Sequence, residues 1–326
     1  MTYNKCGKWG LKLPEISLGF WHNFGDHDDL TEGRAIMQRA YEAGITHFDF
    51  ANNYGPPAGS AERNCGQILK EDFAGLRDHL VISTKAGHDM WDGPYGEWGS
   101  RKHVLASLDQ SLARLKLDHV DIFYSHRPDP DTPLEETMSA LATAYRSGKA
   151  TYIGLSKYPL AMLKEAVAIL KNLGVFTLIY QPPYSLLNRW PESAGILDWL
   201  KEEGIGSIVF SPLAQGMLTE KYLHGIPENS RAARDDGFLQ QKQVEENLPK
   251  IKALHELAEK RGQPLHHMAL QWCLAHPAIT SVLVGARNVK QLDDLLAALP
   301  AKNFSETERK TIDQISPLIY QEGTEA

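Results

Sequence analysis

The 326-residue chain is 42% hydrophobic and 23% charged, a composition typical of globular proteins with a large core, and this excludes disordered and fibrous classes. Its formal net charge is −7, and residues of both signs are interspersed, so that no basic face is present for a nucleic acid. We therefore expect a globular protein with no nucleic-acid partner.

Cysteine usage and hydropathy bear on the compartment. The three cysteines, Cys6, Cys65 and Cys273, are an odd and sparse set, which argues against a disulfide framework and for a reducing compartment. The N-terminus MTYNKCGKWG lacks the apolar core of a secretory signal, and no run of about 18 apolar residues occurs that would span a membrane. These features predict a cytoplasmic protein without a membrane partner.

The predicted elements begin with a short hairpin, in which YNKCG and LKLPEI flank Lys8, Trp9 and Gly10. Eight strands follow, predicted from short β-branched runs that are mostly continuous in apolar character, as strands covered on both faces must be. The predicted strands are 16–20, 47–51, 80–86, 120–126, 150–156, 177–182, 206–212 and 281–286.

Amphipathic helical patterns lie between these strands, and most of them end at the glycine that commonly follows a helix. The clearest patterns are 34–44, 104–116, 137–148 and 160–174. Alternating strands and helices are typical of parallel strands joined by crossover helices. Eight such units predict an α/β fold, a (β/α)8 TIM barrel with the hairpin at its bottom. Because no linker or repeat divides the chain, we expect residues 1–326 to form a single domain.

A doubly wound sheet is the competing architecture for eight β/α units. Such a sheet would carry a G-x-G-x-x-G sequence after an early strand, where it binds the pyrophosphate of a dinucleotide. This chain has no such sequence there, and the pattern therefore favours the barrel.

Two segments late in the chain differ from a simple β/α unit. The stretch 213–246 is predicted to be irregular and is too long to be a mere connection, which is typical of functional loops. The segment SETERKTIDQIS (305–316) begins with a capping-box pattern and predicts an extra C-terminal helix.

Four polar residues lie at or near predicted strand ends, where barrels of this kind build their active sites. Asp49 lies in the second predicted strand and Tyr54 in the loop after it. Lys85 lies near the end of the third strand, and His126 at the end of the fourth. Each residue alone is more simply explained as a loop cap, a packed ring, a solvated charge or a core histidine. Because adjacent strands would bring all four together, we interpret them jointly as a catalytic group.

Reduction of a carbonyl by hydride transfer would give these residue types separate tasks. The carbonyl oxygen gains negative charge and must be protonated. Tyr54, with an ordinary pKa of about 10, keeps a proton to donate, and a nearby Lys85 ammonium would lower that pKa toward neutrality. Asp49 would hold Lys85 charged and in place. His126 would orient the carbonyl by a hydrogen bond.

The loops after the seventh and eighth strands are where such barrels bind phosphate. They read SPLAQG (211–216) and GARN (285–288), in which Gly285 would allow a close approach of the backbone. Three cations lie nearby: Lys221, Arg231 and Arg287. Taken singly, each is more simply a solvated surface charge, whereas together they would suit the extra 2′-phosphate of NADPH.

Several long sequence strings resemble the aldo-keto reductases, almost from end to end. The matching strings are HFDFANNYG (47–55), STKAG (83–87), VDIFYSHRPD (120–129), YIGLSKY (152–158), FSPLAQGMLTEKY (210–222) and SVLVGARN (281–288). SLGFWHNFG, ANNYGPPAGSAE, KAGHDMWDGPYGEWGSRK and SLLNRW further resemble the bacterial L-glyceraldehyde 3-phosphate reductase branch, a neighbour of the potassium-channel β subunits. The resemblance implies NADPH-dependent reduction of small aldehydes or ketones, such as L-glyceraldehyde 3-phosphate or methylglyoxal.

The resemblance also implies roles for individual residues. The catalytic tetrad of the family falls on Asp49, Tyr54, Lys85 and His126. Ser156 and Gln181 would hold the nicotinamide carboxamide, and Phe210 would stack on the ring. The pyrophosphate would be lined by Ser211, Leu213, Gln215 and Gly216, and the adenosine end surrounded by Lys221, Arg231, Arg287, Gln291 and Asp294. Two positions depart from the family pattern: Lys157 stands where the channel β subunits carry Arg, and Arg287 where many members carry Ser.

Substrate residues and assembly are less directly indicated. Related proteins form tetramers or larger rings, so the resemblance implies a homo-oligomer. Trp21 and Trp91, beside His126 and Tyr54, would wall the substrate site together with His22, Tyr95 and Trp98, although these aromatics would equally pack the loops or an oligomer contact. Lys102, Arg127 and Arg189 would meet a substrate phosphate, or would simply be solvated charges.

Two other functions compete with a reductase. A nucleotide-binding, redox-sensing regulatory subunit with little turnover is suggested by the channel β relatives, although the barrel pattern starts within a few residues of Met1. A metal-dependent barrel hydrolase is disfavoured because no His, Asp or Glu cluster has the spacing of metal ligands in the sequence, and we expect no metal.

Overall fold

A computed structural model describes residues 1–227, 230–233 and 239–319, and eight of its strands form one closed parallel barrel. The order around the barrel is the order along the chain, and the last strand closes it by pairing with the first, with Val282 beside Ile16. The predicted barrel is therefore confirmed. Its strands are β3 (Ile16–Gly19), β4 (His47–Asp49), β5 (Val81–Ala86), β6 (Val120–Ser125), β7 (Ala150–Ser156), β8 (Thr177–Gln181), β9 (Gly206–Val209) and β10 (Ser281–Val284).

The predicted N-terminal hairpin is also present. Strands β1 (Tyr3–Lys5) and β2 (Lys12–Pro14) pair antiparallel and lie apart from the barrel sheet. Cys6 and Leu13 are fully buried in a cluster with barrel residues. A Cβ added to Gly206, the first residue of β9, would lie 2.8 Å from the Cα of Cys6, so this contact requires glycine. The hairpin thus packs on the amino-terminal end of the barrel, opposite the strand ends that carry the candidate site.

Helices surround the barrel, and local caps decide where several of them begin. The first starts at Leu30 rather than at the predicted residue 34, because Asp29 Oδ1 accepts a hydrogen bond from the amide of Thr31 at 2.8 Å. The helices are α1 (Leu30–Glu42), α2 (Ser60–Asp72), α3 (Arg101–Leu115), α4 (Leu134–Arg146), α5 (Leu160–Asn172), α6 (Trp190–Ser193), α7 (Ile196–Glu203), α8 (Gln241–Lys260), α9 (Leu265–Leu274), α10 (Val289–Leu296) and α11 (Glu306–Ile315).

Of the two late segments, the structure confirms the C-terminal helix and corrects the bounds of the irregular stretch. The C-terminal helix is α11, where Ser305 and Glu308 form the predicted capping box. The irregular stretch was drawn too long, since α8 already begins at Gln241 with a capping box from Gln240. Because this helix begins with the polar residues QKQ, hydrophobic periodicity does not indicate where it starts. Before it lie short 3₁₀ turns at Ala214–Gly216, Glu220–Tyr222 and Arg231–Ala233.

Cys6, Cys65 and Cys273 are all buried free thiols. Among the described residues, none of the helices combines the length and apolar character that crossing a bilayer demands.

Candidate active site

The four residues interpreted as a catalytic group meet at the carboxyl end of the barrel. Asp49 is the last residue of β4, Lys85 is the next-to-last residue of β5, and His126 directly follows β6. These strands are neighbours, with Asp49 in register with Ser83 of β5. Tyr54 lies in the loop after β4. The backbone N–H and C=O of Tyr54 make hydrogen bonds that hold this loop. Adjacency in the barrel thus brings together groups far apart in the sequence.

Lys85 and Asp49 form a buried ion pair. Lys85 Nζ donates to Asp49 Oδ2 and, at 2.7 Å, to the carbonyl oxygen of Phe50. The two side chains are 0% and 2% exposed. Burial lowers the pKa of Lys85, whereas the Asp49 carboxylate raises it again. The pair is therefore close to electrically neutral as a unit, and removing either partner would leave an uncompensated buried charge.

Tyr54 is a protonated phenol in this geometry. Lys85 Nζ lies 5.1 Å from the centroid of its ring. Burial, and then the Asp49 carboxylate, raise the pKa of Tyr54 well above 10. The expectation that this pKa falls toward neutrality is therefore wrong for the structure described. The physical reason is that burial of the phenol outweighs the stabilisation that Lys85, itself paired with Asp49, gives to a phenolate.

His126 is a buried neutral imidazole beside Tyr54. The two ring centroids are 5.8 Å apart, edge to face. Burial lowers the pKa of His126 well below 6.5, and neighbouring positive groups add to the effect. Its Nδ1 has no hydrogen-bond partner among the described residues. A buried polar atom without a partner is costly, which marks this edge of the ring as a place where a ligand would bind.

His88 also belongs to this group, and the sequence analysis missed it. Its ring packs edge to face on His126, with centroids 4.5 Å apart. Burial, with Arg127 and Lys157 nearby, lowers the pKa of His88 to about 3, so it too is neutral. Its position three residues after Lys85, in the loop at the same end of the barrel, could have indicated its place in the site.

The loop after β9 has an unusual backbone. Ser211, Ala214 and Gln215 have φ values of 54°, 47° and 57°, and Gly216 has 96°. Left-handed conformations at non-glycine residues are sparsely populated and cluster at ligand-binding sites. Left-handed residues next to ordinary ones also turn successive N–H groups toward one side, where anions bind. The loop thus fits the predicted pyrophosphate role, with Leu213 within it.

Three further residues predicted for the nicotinamide end lie around Asp49 and the strand ends. Ser156 Oγ donates to the Gln181 carbonyl oxygen at 2.7 Å, and Gln181 Nε2 lies 3.4 Å from Asp49 Oδ2. Both side chains are almost fully buried. Phe210 follows β9 and is bridged to Pro183, which places it at the same end of the barrel. Hydroxyl, amide and aromatic groups are therefore available there for an amide-bearing ring.

A cleft of about 420 Å³ lies beside the loop after β9. It is lined by Leu213, Thr219, Glu220, Lys221, Pro264, His266, Gln291, Asp294 and Leu295. The structure thus brings together four of the residues predicted for the cofactor. Together with the left-handed loop and the groups near Asp49, this cleft fits an elongated anionic dinucleotide.

For three further predicted cofactor residues the structure gives no direct support. Arg287 is exposed, and its backbone N–H donates to Gln291 Oε1 at 2.9 Å. Gly285 is exposed just after β10. A Cβ there would meet only the carbonyl oxygen of Gly19 at 3.9 Å, so no described part of the chain itself approaches this glycine closely. The side chain of Arg231 lies outside the described residues. These three roles stay predictions.

A cluster of possible metal ligands lies on the wall of the cleft. Donor atoms of His266, His267 and Asp294 lie within 4.8 Å of one another, and His266 Nε2 is 2.9 Å from Asp294 Oδ2. Sequence spacing could not show this, because Asp294 belongs to a different helix. Both histidines lie in the first turn of α9, and the helix dipole places partial positive charge there, which disfavours a bound cation. His267 Nε2 also already contacts the Asp294 carbonyl oxygen at 2.8 Å. We interpret the cluster as a contact that positions Asp294.

The loop aromatics are engaged in local packing. Trp91 packs on His103 of α3 with ring centroids 5.0 Å apart, and Trp98 stacks on Arg127 at 3.7 Å. Trp21 packs on His22 with centroids 4.2 Å apart, and Tyr95 is exposed. These contacts favour loop packing for Trp91, whereas its predicted role in the substrate site stays untested.

The cations predicted for a substrate phosphate are largely occupied elsewhere. Arg189 is bound by Glu192, Asp313 and the carbonyl oxygen of Ser316. Lys102 is exposed and lies over Tyr95. Arg127 pairs with Glu97 and donates to the Gly87 carbonyl oxygen at 3.0 Å. Apart from Glu192, which lies three residues from Arg189, these partners come from distant parts of the chain and only the tertiary fold brings them together.

Comparison with known proteins places this geometry in a family. A model of the Aldo/keto reductase family matches residues 15–317. L-glyceraldehyde 3-phosphate reductase of Escherichia coli (strain K12) is 54% identical over 318 residues, covering 96% of this chain and 92% of that protein. A probable voltage-gated potassium channel subunit beta of Oryza sativa subsp. japonica is 35% identical over 305 residues, covering 92% and 91%.

A solved structure agrees with these sequence matches. The holo form of aldo-keto reductase AKR11C1 from Bacillus halodurans superimposes with a TM-score of 0.80 and 27% identity, covering 100% of both chains. The family match accounts for the barrel, and this chain belongs to the aldo/keto reductase family of oxidoreductases.

Proposed function

We propose that this chain reduces short aldehydes or ketones with NADPH, with Tyr54 as the general acid. The observation that carries the proposal is the buried Lys85–Asp49 pair beside the phenol of Tyr54 and the neutral ring of His126. The E. coli relative is named for L-glyceraldehyde 3-phosphate, which supports a three-carbon aldehyde of this kind, with methylglyoxal as a related candidate.

Tyr54 supplies the proton for the carbonyl oxygen. NADPH, when bound, supplies the hydride. Because burial raises the pKa of Tyr54, the phenol is fully protonated at neutral pH and is available as a donor. The Lys85 ammonium lies against this ring and stabilises negative charge that develops on the phenol oxygen as its proton leaves. Asp49 keeps that ammonium charged and in position.

His126 orients the carbonyl. A neutral imidazole carries one N–H donor, and its lowered pKa keeps it neutral. A hydrogen bond from this ring to the carbonyl oxygen would hold the carbonyl beside Tyr54, in a pocket whose walls would include Trp21 and Trp91. Positioning of this kind lowers the barrier because the reacting groups need no further ordering.

The cofactor would lie across the carboxyl end of the barrel. Ser156, Gln181 and Phe210 would hold the nicotinamide end, and the left-handed loop at Ser211–Gly216 the pyrophosphate. Lys221, Gln291 and Asp294 line the cleft proposed for the adenosine end. Arg231, Gly285 and Arg287 would contribute to the same end. Cations at this end favour NADPH over NADH, because the extra 2′-phosphate is anionic. We further propose that residues 1–326 act as a single domain in a cytoplasmic homo-oligomer, a tetramer or larger.

The experiment is a steady-state assay of NADPH oxidation. Purified protein is offered both enantiomers of glyceraldehyde 3-phosphate and methylglyoxal, and Tyr54→Phe is compared with wild type. The variant should lose about 10²–10⁴-fold in kcat, the usual contribution of a general acid. Tyr124→Phe is the matched control, since this buried phenol also lies 5.6 Å from Lys85 Nζ but is placed in β6.

Two results would contradict the proposal. Undiminished turnover in Tyr54→Phe would remove Tyr54 from the mechanism. Tight NADPH binding with negligible turnover on every carbonyl tried would instead favour a redox-sensing regulatory subunit, the role suggested by the channel β relatives.

A further inference from the structure

Lys157 lies at the same end of the barrel as the catalytic group. It directly follows β7, which pairs with β6, the strand that ends at His126. Its backbone has a φ of 64°, a left-handed conformation that non-glycine residues rarely adopt. Its Nζ lies 5.7 Å from the centroid of the Phe210 ring. The backbone thus places this lysine at the carboxyl end of the barrel, with its ammonium near Phe210.

This lysine has no carboxylate partner among the described residues. The nearby cation, Arg127, does have one, because it pairs with Glu97 and stacks on Trp98. Lys157 is only partly exposed, and burial together with Arg127 lowers its pKa. The groups beside it, His88 and His126, are neutral and supply no compensating charge. A partly buried cation without a carboxylate beside it gains stabilisation when an anion binds there.

We propose that Lys157 binds the phosphate group of a short phosphorylated aldehyde whose carbonyl lies against Tyr54 and His126. The inference rests on the proposed function and names its substrate class. A lysine ammonium is a common phosphate ligand, acting as a point charge. The cations first expected to do this are less suitable, since Arg189 is held by Glu192 and Asp313.

The same ammonium chemistry would also suit a phosphate of the cofactor. The structure favours the substrate, because the left-handed loop after β9 and the cleft lined by Lys221 already provide for the phosphates of a dinucleotide. Lys157 lies instead just after β7, next to the strand that ends just before His126. The experiment below separates the two sources.

The test compares wild type with Lys157→Met and Lys157→Arg on two substrates, glyceraldehyde 3-phosphate and glyceraldehyde. Lys157→Met should lower kcat/KM about 10- to 100-fold for the phosphorylated aldehyde, the range for one hydrogen bond to a charged group. Glyceraldehyde should be reduced as before, and Lys157→Arg should keep most of the activity. Lys164→Met, which removes an exposed lysine of α5 that lies over Trp199, is the matched control and should change the rate on neither substrate.

NADPH affinity, measured by fluorescence titration, provides the second arm. An unchanged Kd in Lys157→Met supports the substrate phosphate. A loss of NADPH affinity as large as the loss in kcat/KM, or an equal loss on both aldehydes, overturns the proposal and assigns Lys157 to the cofactor or to general positioning. Thermal unfolding should show Lys157→Met to be as stable as wild type, because the variant removes an unpaired charge.

A third arm keeps the inference separate from the proposed function. If wild type reduces neither aldehyde, the proposed function fails, and glycerol 3-phosphate binding to the NADP⁺-loaded chain is then measured by calorimetry. Binding that Lys157→Met abolishes would still support the anion site. Absence of binding, or binding unaffected by the substitution, would overturn it.

Discussion

His47 Nε2 lies 2.9 Å from Ser83 Oγ in the interior of the barrel. Ser83 in turn donates to Asp49 Oδ1 at 2.5 Å, so His47 must donate to Ser83 and carry its proton on Nε2. Its Nδ1 then accepts from Ser17 Oγ at 3.0 Å, and Ser17 contacts Ser281 at 2.7 Å. A buried polar chain thus runs from the last strand of the barrel to the carboxylate that holds Lys85.

Removing His47 should destabilise the fold. His47→Ala removes one hydrogen-bond partner from each of the buried hydroxyls of Ser17 and Ser83, and it creates a cavity. We expect the free energy of unfolding to fall by about 2–4 kcal/mol, measured by urea denaturation. His27→Ala, at an exposed position, is the control and should change it by less than about 0.5 kcal/mol. Equal effects from both substitutions would contradict the buried chain.

Acid should weaken the protein through the same histidine. Burial lowers the pKa of His47 from 6.5 to about 4, so between these values the unfolded chain binds a proton that the folded chain does not. Stability is therefore fully present above about pH 6.5 and is lost as the pH falls toward 4, by on the order of 3 kcal/mol. Urea denaturation across this range measures the slope. His47→Gln should flatten it, and an unchanged slope would assign the loss to other groups.

The Lys85–Asp49 pair should show strong coupling. Lys85→Met leaves a buried carboxylate uncompensated and should cost about 3–5 kcal/mol in the free energy of unfolding. Adding Asp49→Asn removes that charge, so the double variant should be more stable than Lys85→Met alone. Lys149→Met is the control, because its ion pair with Asp109 is exposed and should be worth about 0.2–1 kcal/mol. Simple additivity of the two buried substitutions would contradict the coupling.

The hairpin contact at the bottom of the barrel can be tested at one glycine. Gly206→Ala places a methyl group 2.8 Å from the Cα of Cys6, and the resulting strain should destabilise the fold by about 1–3 kcal/mol. Gly75→Ala is the matched control, since a Cβ there meets no atom within 4 Å. Thermal unfolding of the two variants measures the difference. Similar melting temperatures would show that the hairpin shifts to admit the methyl group.

The barrel was predictable because its signals are local in the sequence. Each strand is an apolar run ended by a turn, and α11 carries its capping box within four residues, Ser305 and Glu308. The start of α8 escaped prediction because its first turn is polar and the apolar period begins only at Val244. Hydrophobic periodicity therefore located elements but not all of their boundaries.

By itself the sequence determined which residues stand at strand ends, since strand order in this barrel follows chain order, and this was enough to group Asp49, Tyr54, Lys85 and His126. Only the tertiary structure decided that burial raises the pKa of Tyr54, that His88 packs on His126, and that Arg189 is already paired. It also decided that Lys157 has no carboxylate beside it among the described residues. The reason is that a pKa or an ion pair depends on burial and on distances through space, and residues far apart in the chain set both.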